Sequence, residues 1–473
     1  MGYDCKRFRF STIHCIRTII NSMEKLKYER PFIKKMVVGM LEKSGTSSSS
    51  QAVTHIDGVS VKGLIAQYGS PVFVMSETQI RSNYQSSVQA FSTRYPKVQF
   101  AWSYKTHYNN AICRIFHQEG SWAEVVSGFE YRKALNNGVH GSKIIFNGPD
   151  KSDEDLRLAV VNGSMIHIDH LEELYALTAL CKELSKKAQV AIRVNMDTGV
   201  YPIWDRFGFN FENGQAWAAL EKINASEFLE LTGLHTHIGT YMLSSKAYSI
   251  ATNKLTTLAK RCKDEFGTII QYIDLGGGFP SANPLKGNFG VVNIPSIDEF
   301  ADAITEGLLQ ANFSRSELPL LILESGRALV DDAGFLLGTV LASKKLSDGR
   351  KATIMDFGVN IMFTSFWYDH KISPAQEASD YQEDVVLYGP LCMNIDIIRD
   401  YISLPLLNRG DHVVVHRVGA YNMTQWMQFI AMRPAIVLID CNGDTHIIRK
   451  KEDLAYLEMP DQIPSHLQSI VRP

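Results

Sequence analysis

The chain has no Cys-x-x-Cys pair among its seven cysteines. That argues against both a disulfide framework and a structural zinc site, and for a reduced, cytoplasmic protein. No run of about 18 or more apolar residues occurs, so nothing reads as a membrane span. The first residues lack the apolar core and small-residue cleavage site of a secretory signal. Lys6 stands where a myristoylation motif requires Ser or Thr. No Gly-x-Gly-x-x-Gly follows the first predicted strand, which removes the main support for a dinucleotide-binding oxidoreductase. Charge of one sign is also missing, with 48 Lys+Arg against 50 Asp+Glu and a formal net charge of −2. A chain so balanced is not built as a general polyanion binder, because nucleic-acid affinity comes from a basic surface that neutralises phosphates.

What is present is a globular composition: 473 residues, 45% hydrophobic and 21% charged, with 33 Gly and 16 Pro. Collagen-like, low-complexity and mostly disordered classes are excluded. The length allows two or three domains, or one large barrel with a companion. Residues 1–50 stand apart. They are basic (Lys6, Arg7, Arg9, Arg17, Lys25, Lys27, Arg30, Lys34, Lys35) and end in the run Ser47 to Ser50, the pattern of a flexible extension. A basic leader also fits a transit peptide, against which Asp4, Glu24 and Glu29 argue.

From about residue 98 short β-branched or apolar runs alternate with amphipathic helical stretches. The predicted strands are Val98 to Tyr104, Trp122 to Ser127, Lys143 to Asn147, Met165 to Asp169, Val190 to Asn195, Leu231 to Ile238, Tyr272 to Leu275 and Leu320 to Leu323. Helices are predicted between them, for example Asn109 to Glu119 and Leu171 to Lys186. This is the rhythm of a (β/α)₈ barrel, though an open doubly wound sheet gives the same alternation. After about residue 330 helices become scarce. Strands are expected at Phe335 to Ala342, Ala352 to Asp356, Asp384 to Tyr388, His412 to Arg417, Ala435 to Asp440 and His446 to Arg449, joined by turn residues as in a β-barrel or sandwich. The division expected is a barrel at 77–329 and a β domain built from 51–76 and 330–473.

The residues that end the barrel strands are informative, because a barrel carries its site there. They are Lys105, Glu124, Asn147, Asp169, Arg193, His237, Gly276 to Gly278, and Glu324 with Arg327. A lysine after a buried strand can be desolvated, which lowers its pKa and makes it a Schiff-base former, although a surface lysine at a loop start is the commoner case. Three glycines after a strand let backbone N–H groups approach an anion, although a plain turn also uses them. His235 and His237 fall on one face of a strand. No third histidine or carboxylate accompanies them at ligand spacing, so no metal site is expected and a platform for a ring-shaped cofactor fits better. Glu324 suits the role of partner to a heteroaromatic nitrogen, the alternative being a simple ion pair with Arg327.

Taken in order, these motifs resemble the fold-type III pyridoxal-phosphate (PLP) decarboxylases, the ornithine and diaminopimelate decarboxylase group. The residues that carry the resemblance are Phe100 to Lys105, Glu124 to Glu130, His235 to Gly239, Gly276 to Pro280, Glu324 to Arg327, Gly389 to Cys392 and Gly419 to Tyr421. The resemblance implies a (β/α)₈ barrel with a C-terminal all-β domain, a homodimer, and release of CO₂ and an amine from an amino acid. It implies that Lys105 bonds the cofactor covalently, that His237 stacks on its ring and that Glu324 pairs with the pyridine nitrogen. Glu124 stands where Asp is more frequent. Arg193, Thr240, Gly276, Gly277, Gly278, Gly326, Arg327 and Tyr421 would complete cofactor binding. Cys392 would come from the other subunit to protonate the product carbon.

Two departures bear on substrate. Thr364 stands where diaminopimelate decarboxylases place an arginine for the distal carboxylate. Tyr368-Asp369-His370 instead resembles ornithine-type enzymes, where the Asp contacts a distal ammonium, yet Met393 replaces an acidic residue used to read that amine. Tyr368, Asp369, Met393 and Asp396 are therefore the candidate substrate residues. Gln425 and Trp426 are expected to shape a pocket for a larger or conjugated substrate. An amino-acid racemase is the nearest rival, since it runs on the same kind of fold. A non-catalytic homologue that binds a protein partner is the rival from another class. It would be free to lose Lys105, Glu324 or Cys392, all of which are present.

Overall fold

The computed structural model describes residues 51–286, 293–377 and 381–468. The extension expected at 1–50 lies outside these residues. Eight parallel strands close into a barrel: Val98–Ser103, Trp122–Val125, Ile144–Phe146, Met165–Ile168, Ala188–Asn195, Leu229–His235, Tyr272–Asp274 and Leu320–Leu323. Each pairs with the next, and the last returns to the first, with Leu321 to Leu323 lying against Val98 to Phe100. That closure decides between the barrel and the open sheet, which periodicity could not do.

The helices outside the barrel start where the sequence offers a cap. Ser127, Ser152 and Ser296 each accept a hydrogen bond from the third residue of the helix they open, and Glu299 completes a capping box at Ser296. Inside, Ala101, Ile145, Met165, Ala191, Tyr272 and Ile322 form an apolar cluster, so the barrel is filled rather than hollow. Gly233 interrupts the Leu229–His235 strand because a Cβ there would lie 2.2 Å from the Tyr272 ring. Outside, Trp102 stacks on Phe116 at 3.8 Å and fixes the Asn110–Gln118 helix to the first strand. Burying rings of this size contributes roughly 1.5–3 kcal/mol each. Lys105 follows three residues later, on the turn Tyr104–Thr106, so its backbone is held by that packing.

A second sheet of nine strands is centred on Gly334–Lys345. Val72–Ser76 lies between Gly334–Lys345, to which it is antiparallel, and Ile436–Ile439, to which it is parallel. Three of its strands were not among those expected from the sequence: Val72–Ser76, in a stretch assigned only to the β domain, and two later ones. Ile397–Pro405 carries Arg399 and Asp400 in its middle, and Ile372–Pro374 is three residues ending in proline, so neither offers a run of strand formers. The loop beyond His412–His416 reaches the barrel, where Tyr421 N–H donates to Thr106 O at 2.9 Å. That bond ties the second sheet to the turn carrying Lys105.

Candidate active site

A cavity of about 810 Å³ opens at the C-terminal ends of the barrel strands. On its inner wall Lys105 Nζ donates to both oxygens of Glu124, at 2.8 and 2.6 Å. Glu124 is buried and also accepts from Ser103 Oγ at 2.5 Å and Asn147 Nδ2 at 3.1 Å. Burial would lower the Lys105 pKa, as expected from the sequence, but the negative charges of Glu124 and Glu324 outweigh it and the pKa is raised. Lys105 is thus a paired ammonium, and that expectation is corrected.

Asn147 Nδ2 also donates to Glu324 Oε1 at 2.5 Å, joining the two buried glutamates. Behind Glu324 lies Asp274, whose Oδ1 accepts from Gly276 N–H at 2.8 Å. Burial and the neighbouring Glu324 charge raise the Asp274 pKa well above the carboxylate range. Asp274 is therefore the carboxyl that keeps its proton.

His237 lies beyond the end of its strand rather than on a strand face shared with His235. Its Nδ1 accepts from Gly277 N–H at 3.0 Å, which fixes the ring and leaves the hydrogen on Nε2. Burial, with the charges of Arg193 and Lys105, keeps it neutral, and Trp204 packs edge-on to it at 5.6 Å. His235 is fully buried at 4.6 Å from the ring of His167 and with Nε2 at 3.5 Å from Glu324 Oε2. Folding thus brings together the third histidine and the carboxylate that sequence spacing did not offer: ligand atoms of His167, His235 and Glu324 lie within 4.8 Å of one another. Burial depresses the pKa of both histidines, so they form a neutral floor beneath Glu324. Arg193 lines the cavity with its guanidinium 4.4 Å from the Phe207 ring centroid and 3.9 Å from Asp169 Oδ1.

A smaller cavity adjoins the first, lined by Ser103, Thr106, Thr240, Gly278, Gly326, Arg327 and Tyr421 among others. A Cβ on Gly278 would lie 2.3 Å from Gly239 O, and one on Gly326 2.0 Å from Thr106 Oγ1. On the wall of this smaller cavity Arg327 Nη1 and Thr106 Oγ1 are buried without a hydrogen-bond partner among the described residues. Orphaned donors converging on a glycine-walled cradle are what a phosphate group needs, so the residues fit pyridoxal phosphate. The triple glycine requires a correction. The N–H groups of Gly276 and Gly277 are taken by Asp274 and His237, and only Gly278 faces the cradle. Gly277 serves packing instead, since its Cβ would meet Glu324 O at 2.2 Å. Arg327 makes no ion pair with Glu324. Its guanidinium lies between the rings of Tyr421, Tyr368, Trp367 and Tyr241, at 4.6 to 6.0 Å.

The outer wall departs further from expectation. Tyr368 lines the cavity with Phe366, Trp367, Trp204, Phe207 and Leu285. Asp369 does not; its Oδ1 lies 3.2 Å from Arg399 Nε, a cation supplied by a strand the sequence reading missed. Thr364 is buried, with Oγ1 in contact with His370 Nε2 at 2.8 Å and Asn422 Oδ1 at 2.9 Å. Asp396 accepts from the backbone N–H groups of Val359 and Leu391 at 2.8 and 2.7 Å, clamping two loops rather than facing substrate. Met393 packs against the core, and Cys392 is exposed and outside this cavity. Gln425 is exposed and Trp426 lines a different cavity, so neither shapes this one.

Residues 79–331 match the family model of the pyridoxal-dependent decarboxylase pyridoxal-binding domain. The chain is 32% identical to a diaminopimelate decarboxylase of Methanocaldococcus jannaschii, covering 87% of this chain and 95% of that protein. It is 27% identical to an L-glutamyl-[BtrI acyl-carrier protein] decarboxylase of Niallia circulans, covering 84% and 95%. The crystal structure of the Methanocaldococcus jannaschii enzyme superposes with a TM-score of 0.81 at 31% identity, covering 87% of this chain and 96% of that one.

Proposed function

This chain belongs to the pyridoxal-dependent decarboxylases and is a PLP-dependent amino-acid carboxy-lyase, and on that premise we propose that its substrate is an amino acid whose distal end is conjugated. The observation that carries this reading is the outer wall. Position 364 is a buried threonine bonded to His370 and Asn422, and Asp369 is engaged by Arg399. Rings of Phe366, Trp367 and Tyr368 make up this wall beside one cation, Lys286, which is itself paired with Asp400 at 3.1 Å. The cavity is of the size that takes a drug-sized ligand. The Niallia circulans relative acts, by its name, on a glutamyl group carried on another molecule. A free diamino acid is the second reading, favoured by the names of the diaminopimelate decarboxylase relatives.

Pyridoxal phosphate, when bound, supplies the electron sink for the pair left behind as CO₂ departs. Lys105 would be the residue that attaches to it, and Glu124, at 2.6 Å from Nζ, would hold and orient the amine. Glu324, oriented by Asn147 and beside the neutral His235, would hold the proton on the pyridine nitrogen. His237, its orientation fixed by Gly277 N–H, would pack on the ring face. Thr240, Gly278, Gly326, Arg327 and Tyr421 would hold the phosphate, and Arg193, on the wall of the main cavity, would supply a further cation to the bound group. The aromatic mouth excludes water, which strengthens the electrostatics within.

Cys392 is exposed and off its own chain's cavity, which is compatible with the role the resemblance implies, in which it would serve a second copy in a homodimer and deliver the proton to the carbon that loses CO₂. Among the described residues no helix is long and apolar enough to cross a membrane. The described cysteines are all free, in keeping with action in the cytoplasm. The test is CO₂ release from diaminopimelate, lysine and ornithine against the same diamino acids acylated on the distal amine. Turnover of acylated substrates well above the free ones is expected; faster turnover of a free diamino acid rejects the conjugate.

A further inference from the structure

A second cavity, of about 380 Å³, shares no lining residue with the first. It lies where the segment following Thr106 meets the second sheet, and its walls carry three cations, Lys133, Arg433 and Arg449, and no carboxylate. Arg433 and Arg449 both donate to Glu452 behind them, at 2.6 and 2.9 Å. One buried negative charge against three positive ones leaves an excess of two. The guanidiniums also lie against Trp426, at 5.4 and 4.9 Å from its ring centroid, which fixes the direction of their remaining donors.

His107 closes the cavity and is 1% exposed. Its Nδ1 accepts from Asn109 N–H at 3.3 Å, so Nε2 carries the hydrogen. That buried Nε2–H has no partner among the described residues, and neither has Arg449 Nε–H. Burial pushes the His107 pKa down to about 3, so it stays a neutral donor. The helix Asn110–Gln118 begins at the same place, with Asn109 as its cap. Every unmet group here is a donor, and a buried donor without an acceptor is costly.

We propose that this cavity binds the dianion of a phosphate monoester. The two-charge excess matches a dianion, and guanidinium forks match phosphate oxygens in geometry. The volume leaves room for an organic body against Tyr108, Met423 and Tyr456. Neither Lys105 nor Glu324 faces this cavity, so the ligand is an effector and not the decarboxylated substrate. It sits between two parts of the active site, since His107 follows Lys105 by two residues and Met423 follows Tyr421 by two.

Calorimetric titration of the PLP-saturated holoenzyme with glycerol 3-phosphate, inorganic phosphate and citrate tests this. The expected result is one saturable site per chain for glycerol 3-phosphate, weakened at least tenfold by Arg449→Gln and by Lys133→Gln. Lys133 pairs with no carboxylate among the described residues, so its variant reports on binding even if Arg449→Gln loosens the fold around Glu452. Inorganic phosphate binding as tightly as the ester makes free phosphate the source of the same chemistry, and weaker binding makes the organic body part of recognition. Citrate binding as tightly as the ester, absence of saturation, or undiminished affinity in both variants overturns the proposal.

Discussion

On the inner wall of the main cavity, Lys105, Glu124, Asn147 and Glu324 stand at strand ends and bond to one another, with Asp274 behind them. On the outer wall, Phe366, Trp367, Trp204 and Phe207 stand on loops, and the nearby polar groups turn away, Thr364 to His370 and Asn422 and Asp369 to Arg399. The inner wall has its charges locked in a buried network, where each is worth most and tolerates least change. The outer wall is mostly rings, with one cation, Lys286, already paired to Asp400. Reaction type is thus written into the rigid part of the site, and substrate choice into the part that loops can vary.

The sharpest way to break this contrast is Lys105→Ala. It should abolish the visible absorption band of the bound cofactor and all decarboxylation, because no other amine in the cavity is paired as Lys105 is with Glu124. Retention of the band on purification would sink the cofactor assignment. Next in size is Glu324→Gln, which removes the charge beside the pyridine nitrogen while keeping the Asn147 contact. A loss of about 100-fold or more in kcat is expected at saturating cofactor, corresponding to roughly 3 kcal/mol. Tyr421→Phe, at a residue shared by the phosphate cradle and the main cavity, should weaken cofactor binding with a smaller loss in kcat. Equal kcat losses in the two variants would show that the inner network is not where the chemistry is concentrated.

The same contrast decides what was legible in the sequence. The eight strands were, because each is a short apolar run bounded by turn residues, and so were Lys105, Glu124, Asn147 and Glu324, which end them. His167 was missed although it sits inside a predicted strand. Its signal was a histidine two positions before Asp169, and so on the same face. Asp274 carried a comparable signal, a charge in the apolar run Tyr272 to Leu275 just before the glycines. The outer wall offered none. Asp369 was read by likeness to a distal-amine contact, and its partner Arg399 lies 30 residues on, in a strand interrupted by charged residues. Asp396 was misread for the same reason, since a buried carboxylate that caps loop N–H groups looks no different in sequence from one that meets a ligand.

His370 sharpens the comparison through pH. Burial holds its pKa down at about 4, the His416 carbonyl opposing. Between pH 6.5 and 4 the unfolded chain binds the proton and the native one does not, so stability present above pH 6.5 is lost as pH falls through about 4. The loss from this residue is at most about 3 kcal/mol. Denaturant unfolding followed across that range should show a shallower decline for His370→Gln than for the unmodified chain, and parallel curves would remove the buried histidine from the account. Thr364→Val removes the hydroxyl between His370 and Asn422 and should cost roughly 1–3 kcal/mol, with kcat and KM within about twofold. A large rise in KM would instead put position 364 in the substrate wall.

The smallest effect is expected of Asp369→Ala, and it separates the two readings of the outer wall most directly. If the carboxylate serves Arg399, its loss frees a partly buried cation on the Ile397–Pro405 strand and lowers stability by about 1 kcal/mol, the range of a partly exposed pair. KM for every substrate then stays where it was, because no atom of Asp369 lines the cavity. A tenfold rise in KM confined to substrates with a free distal ammonium would mean that Asp369 exchanges Arg399 for substrate on binding. The outer wall would then be a charged reader that is closed at rest, and the inner and outer walls would obey the same rule.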